Sequence, residues 1–169
     1  MNSYTCLLRA VNVGGTGKLP MAELRAMCEA AGFTDVQTYI ASGNVVLRGT
    51  PNARQVQATL EAALARYAGK PVGVLVRTPA EMAAVLAANP FPGAAPNRVV
   101  AIFLDEPPSP DALASVSGRA GEELALGVRE IYVHYDNGMA GSKLKIPAAK
   151  TGTARNINTV AKLVGMAGG

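Results

Sequence analysis

Apolar positions along this chain fall into two alternating rhythms, short unbroken runs and three-or-four-residue spacings. Residues 4–11 (YTCLLRAV) are a short, largely apolar run, the pattern of a buried strand. Pro20 suits a first helical turn, where its missing N–H leaves nothing unpaired, and Met21, Leu24, Cys28 and Ala31 then share one helix face up to Gly32. Residues 35–41 and 44–48 flank Ser42-Gly43, a hairpin turn of the residue types such turns need. Asn52 opens a second helix through Tyr67, with Val56, Leu60, Ala63, Leu64 and Tyr67 inward, and 72–77 (VGVLVR) is a fourth strand. The order βαββαβ predicts a split βαβ, or ferredoxin-like, unit over residues 1–78.

The remainder, 79–169, repeats part of that order. A helix over 79–88 stops before Asn89-Pro90, and 98–104 (RVVAIFL) is a buried strand. A short helix at 110–118, a hairpin of 122–126 with 129–135 across Gly127-Val128, a helix near 142–150 and a last helix from about 157 follow. This predicts βαββα with no fourth strand. The expected fold class is therefore α+β, two ferredoxin-like units packed together, the second incomplete. If the units are repeats, 4–11 and 98–104 occupy equivalent central places, each beside the second strand of its own hairpin.

Composition narrows the class. Hydrophobic residues at 49% with 17% charged fit a globular chain able to bury its own core. No apolar run nears the ~18 residues of a membrane span, and MNSYTCLLRAVNVGG lacks the basic start and cleavage site of a signal peptide. The expected setting is the cytoplasm, with no membrane partner. Cys6 and Cys28 are expected as buried thiols, since two cysteines with no histidine nearby do not make a zinc site. No metal and no cofactor is implied, and nothing in the pattern sets an oligomeric state.

The net charge of +4 is unevenly spread. Residues 1–78 carry eight Lys/Arg against four acids, 79–136 three against eight, and 137–169 five cations and no acid. The basic last segment either balances the acidic middle or forms a patch for an anionic partner. Both alternatives stand at this point.

The blocks LLRAVNVGG, KLPMAELRAM, GFTDVQTYIASGNVVL, RTPAEMAAVLAANPF, FLDEPP and TARNINTVAKL, in this order and spacing, resemble the bacterial domain-of-unknown-function 1697 family. The resemblance covers nearly the whole chain. It implies a two-part, ferredoxin-like α+β fold and no established activity. Two positions depart from the family pattern: Ala10 stands where Gly is frequent, and Ile157 where an aromatic, commonly Trp, is found. The second departure removes the ring on which a base would stack.

Candidate chemistry begins at NVGGTGK, 12–18. A Walker-type loop fails here: Asn12 takes the place of its first glycine, and Leu19 that of the hydroxyl residue which holds Mg²⁺. The dinucleotide fingerprint also fails, because its third glycine falls on Pro20. A simpler anion nest remains, with glycine N–H groups converging beside a helix start. Split βαβ topology brings this loop and the 42–44 turn to one sheet edge, so Arg9, Asn12, Gly14, Gly15, Lys18, Ser42 and Asn44 are candidate ligand-binding residues. A second cluster is Thr153, Arg155 and Asn156, with Asn156 an N-cap for the last helix, Lys162 on that helix, and Ser142-Lys143 capping the one before. Ordinary turning and capping explain many of the same residues.

Catalytic patterns are sparse. His134 is the one histidine, in a strand, and Glu122-Glu123 and Asp105-Glu106 are neighbours rather than facing dyads. No nucleophile elbow and no metal-ligand spacing occurs. Aromatics at 5% do not furnish a single-stranded RNA platform. The leading expectation is binding of an anionic ligand, a phosphate-bearing small molecule or nucleic acid, by loop 12–18 and the basic last segment. The alternatives are a phosphoryl- or nucleotide-handling enzyme using the same groups, and a protein-interaction module using the acidic middle.

Overall fold

The computed structural model describes residues 1–9, 19–39 and 43–168. They form an α+β protein with two four-stranded antiparallel sheets in two compact units, one made of Met1–Met82 with the stretch from Leu163 onward, the other Ala83–Lys162.

The first unit contains β1 (Asn2–Leu8), α1 (Met21–Ala30), β2 (Thr34–Tyr39), β3 (Asn44–Gly49), α2 (Ala53–Ala68) and β4 (Val74–Arg77). Strand order is β2-β3-β1-β4, with β3 antiparallel to both β1 and β2. Alternation decides what faces the core. Tyr4, Cys6 and Leu8 of β1, Val45 and Leu47 of β3, and Val74 and Val76 of β4 join Leu24 and Cys28 of α1 and Val56, Leu60 and Leu64 of α2 in one cluster. Burying side chains of this size contributes about 1.5–3 kcal/mol each. Both cysteines are free and buried, as expected, and burial pushes the Cys28 thiol up to about 12, so neither is poised as a thiolate.

The local signals are met at the helix ends. Pro20 takes the N-cap place of α1, where its carbonyl accepts from the Glu23 and Leu24 N–H groups. Gly32, at φ +98°, ends that helix. Asn52 and Gln55 form a reciprocal capping box for α2, and Gly69 closes it in the left-handed conformation. Tyr67 corrects the expected inner face of α2. It is 47% exposed, because the last turn of the helix runs past the core cluster, in which Leu64 is its final member.

A helix, α3 (Pro79–Ala87), leads to the second sheet of β5 (Val99–Phe103), β6 (Glu123–Leu126), β7 (Glu130–His134) and β8 (Thr153–Asn156), followed by α4 (Ile157–Gly168). The order β6-β7-β5-β8 repeats that of the first sheet. β1 and β5 hold equivalent central places, paired with β3 and β7 as the repeat reading requires. Val100, Ile102 and Leu104 pack with Ile131 and Val133 at the core of this unit.

Three expectations are corrected here. The second unit has a fourth strand, β8, paired with β5 from Phe103↔Thr153 to Val100↔Asn156. Its four residues at a sheet edge include no large apolar side chain, so hydrophobic alternation does not reveal it. The helix expected at 110–118 shrinks to a 3-10 turn at Ala112–Ser115, and that at 142–150 to one at Pro147–Ala149. The cause is a bridge between the two segments. Ser117 N–H donates to the Lys145 carbonyl at 3.0 Å and Lys145 N–H to Ser117 at 2.8 Å, which uses groups a helix would need for itself. Among the described residues, no helix is long and apolar enough to cross a membrane.

Candidate functional site

Of the residues the sequence places at one edge of the first sheet, Arg9 and Asn44 are described, at the C-terminal end of β1 and the start of β3. Leu7 lies opposite Asn44, Leu8 N–H donates to the Gly43 carbonyl at 2.9 Å, and Arg9 N–H donates to the Gly73 carbonyl at 2.9 Å. The strand therefore ends between two glycines. The Arg9 side chain is half-buried and lies on Gly73, so closely that a Cβ added there would sit 2.8 Å from Arg9 Cδ. Glycine at 73 is what lets the arginine stem lie flat against the start of β4. Asn44 is fully buried, and its Nδ2 donates to the Tyr39 carbonyl at 2.9 Å, which closes the β2–β3 hairpin. Asn12, Gly14, Gly15, Lys18 and Ser42 lie outside the described residues.

The second cluster is rearranged. Arg155, read as a cation standing before a helix, lies in β8 and is 6% exposed. Its Nη1 donates to Thr153 Oγ1 at 2.6 Å and to the Ala154 carbonyl at 2.9 Å, and burial pulls its pKa down to about 10. Strand alternation turns Thr153 and Arg155 to the buried side together. Asn156 caps α4 as expected, its Oδ1 accepting from Thr159 N–H at 2.9 Å. Lys162 is exposed on α4. The basic segment thus presents Lys143, Lys145, Lys150 and Lys162 outward and keeps Arg155 inside.

Ser142 and Lys143 do not cap a helix. They line a cleft of about 460 Å³ in the second unit, together with Gly118, Arg119, Glu122, Tyr135, Asp136 and Asn137. Glu122 is 6% exposed, and its carboxylate accepts from Ser142 Oγ at 2.6 Å and from the Ala120 N–H. The Ser142 hydroxyl, and after it the Ala120 N–H, favour the charged form and hold the carboxyl below its ordinary pKa. The stability this lends is complete above the usual carboxylate range and fades as pH falls through the lowered value. Tyr135 moves the other way, raised by burial and then by the Glu122 charge, so it stays a neutral donor at neutral pH.

The sequence reading missed most of this cleft. Its signal was a repeated tetrapeptide, Gly118-Arg119-Ala120-Gly121 and Gly138-Met139-Ala140-Gly141, whose four glycines all have positive φ. A larger hollow on the first unit, about 830 Å³, carries charges already matched to one another, Arg25 with Glu29 at 3.5 Å and Arg48 with Asp35 at 3.6 Å. His134 is likewise engaged, its Nδ1 4.0 Å from Glu123 Oε1 and its ring against Phe91. Among the described residues, no group of three His, Cys, Asp or Glu is placed to hold a metal ion.

Comparison with known proteins agrees with this architecture. The chain aligns over 98% of its length with 98% of the conserved bacterial protein SP0830 from Streptococcus pneumoniae, at 26% identity and a TM-score of 0.80. No curated protein matches the chain. The model of a family described as "Protein of unknown function (DUF1697)" matches residues 1–132, a span that takes in Arg9, Asn44, Gly73 and Glu122 and stops short of Ser142. With more than three-quarters of its length inside that match, the chain belongs to the DUF1697 family.

Proposed function

We propose that this protein binds a phosphate-bearing anion, a nucleotide or a nucleic-acid phosphate, at the end of the first sheet where β1 enters loop 12–18. One observation carries the reading: Arg9, the last described residue before that segment, has its stem laid on Gly73 and its backbone fixed to the same glycine. A guanidinium held in this way loses little freedom on engaging an anion, and its planar fork matches two phosphate oxygens. Loop 12–18 brings three more glycines and Lys18, the composition of a backbone nest. The chain's net charge of +4 adds a general attraction for anions.

Titrating the chain with a nucleoside triphosphate, followed by calorimetry, tests this. Loss of one charge-assisted pair is worth about 1.5–3 kcal/mol, so Arg9→Ala should weaken binding roughly 10- to 150-fold. Gly73→Ala leaves every charge in place but displaces the Arg9 stem, and a smaller loss of several-fold is expected. Unchanged affinity in Arg9→Ala, with the fold intact by circular dichroism, would remove the basis of the proposal.

A further inference from the structure

The cleft of the second unit has a different chemistry from the end of β1, and we propose that it is a separate site for a small sugar phosphate. Its walls are fixed before any ligand arrives. The Ser117–Lys145 bridge ties the two loops, Glu122 holds Ser142, and Gly118 is packed so tightly that an added Cβ would lie 2.0 Å from the Lys143 carbonyl oxygen. A preformed hollow of about 460 Å³ is within the size range of small-molecule sites.

The lining specifies the ligand class. Arg119 commits only Nε, which donates to the Glu122 carbonyl at 2.6 Å. Its terminal nitrogens, the Lys143 ammonium and the Asn137 amide have no protein hydrogen bond among the described residues, so the cleft offers two cations to an anion. Glu122 and Asp136 balance the two cations overall, so the pull on an anion is local, from the donor groups of Arg119, Lys143 and Asn137. The other groups suit hydroxyls. The Asp136 carboxylate accepts, the neutral Tyr135 phenol donates, and Ser142, whose proton goes to Glu122, presents a lone pair. Ala120, Ala140 and three glycines complete the lining without a bulky side chain. A nucleobase would require a ring to stack on, but the one aromatic in the lining, Tyr135, packs against the core of the unit. Phosphate on one side and hydroxyls on the other describe a phosphorylated sugar.

The test uses the whole chain titrated separately with ribose 5-phosphate, ribose and inorganic phosphate. Ribose 5-phosphate is expected to bind at least tenfold more tightly than either fragment. Lys143→Ala, an exposed position whose loss leaves the fold alone, should weaken it at least tenfold, and Asp136→Asn should weaken ribose 5-phosphate while sparing inorganic phosphate. Repeating the titrations in Arg9→Ala, which removes the anion site proposed at β1, should leave the binding of ribose 5-phosphate that depends on Lys143 and Asp136 in place. In the Arg9→Ala background, no binding of ribose 5-phosphate, inorganic phosphate binding as tightly, or no loss on adding Lys143→Ala would each overturn the proposal.

Discussion

Gly118→Ala should destabilise this protein by about 3 kcal/mol, more than any surface substitution of similar size. Two costs combine. Residue 118 has φ +69°, a conformation that costs a residue with a side chain about 1–2 kcal/mol. The new methyl would also stand 2.0 Å from the Lys143 carbonyl oxygen, which belongs to backbone and has no rotamer by which to yield. The two loops must part, and the paired Ser117–Lys145 hydrogen bonds go with them, at about 1 kcal/mol each. Gly93→Ala is the control, since its Cβ meets nothing within 4 Å and its φ is not positive. Urea unfolding of the two variants reads the difference directly. Equal midpoints would mean that the loops of the cleft are not tied as described.

Arg155→Ala should cost about 2–4 kcal/mol, the range for truncating a large, well-packed side chain. An exposed cation of the same charge should cost less than about 0.5 kcal/mol, which is the expectation for Lys162→Ala. The contrast follows from position alone. Arg155 fills buried space in the second sheet and satisfies Thr153 Oγ1 and the Ala154 carbonyl, whereas Lys162 is exposed. Thermal unfolding at two salt concentrations distinguishes packing from charge. The Arg155→Ala loss should be nearly independent of salt, because a buried group is little screened. A loss confined to low salt would return Arg155 to the surface.

These two residues also show where the sequence was legible and where it was not. The first unit is written in long apolar runs and well-marked ends: the alternation through Tyr4, Cys6 and Leu8, the Asn52–Gln55 capping box, and glycines at 32 and 69. Each is a local signal with a local cause, and the elements fall where expected within a few residues. The repeat of strand order was legible for the same reason, because β5 is wholly apolar and so is the centre of β7, Ile131-Tyr132-Val133. β8 was not, since Thr-Ala-Arg-Asn owes its strand state to β5 and to no pattern of its own. The consequence reached the candidate site. Read as a loop, the segment points Arg155 outward; read as a strand, alternation buries it beside Thr153. The sequence reads Ser142 and Lys143 as the cap of a helix that does not form, and Glu122, the partner of Ser142, lies twenty positions earlier, a distance at which spacing carries no signal. The edge of the first sheet was deduced from topology alone. Leu8 meets Gly43 at that edge, while residues 12–18 lie outside the described residues.

The central claim is that an anion engages the end of β1. Its most direct measurement is a ¹H–¹⁵N correlation titration of the full chain with a nucleoside triphosphate, followed through the Arg9 Nε–H resonance and the Gly73 amide. The account predicts saturable shifts at both, together with those of residues 12–18, and their disappearance in Arg9→Ala. Shifts confined to the exposed lysines and rising without saturation, with Arg9 and Gly73 unmoved, would contradict it.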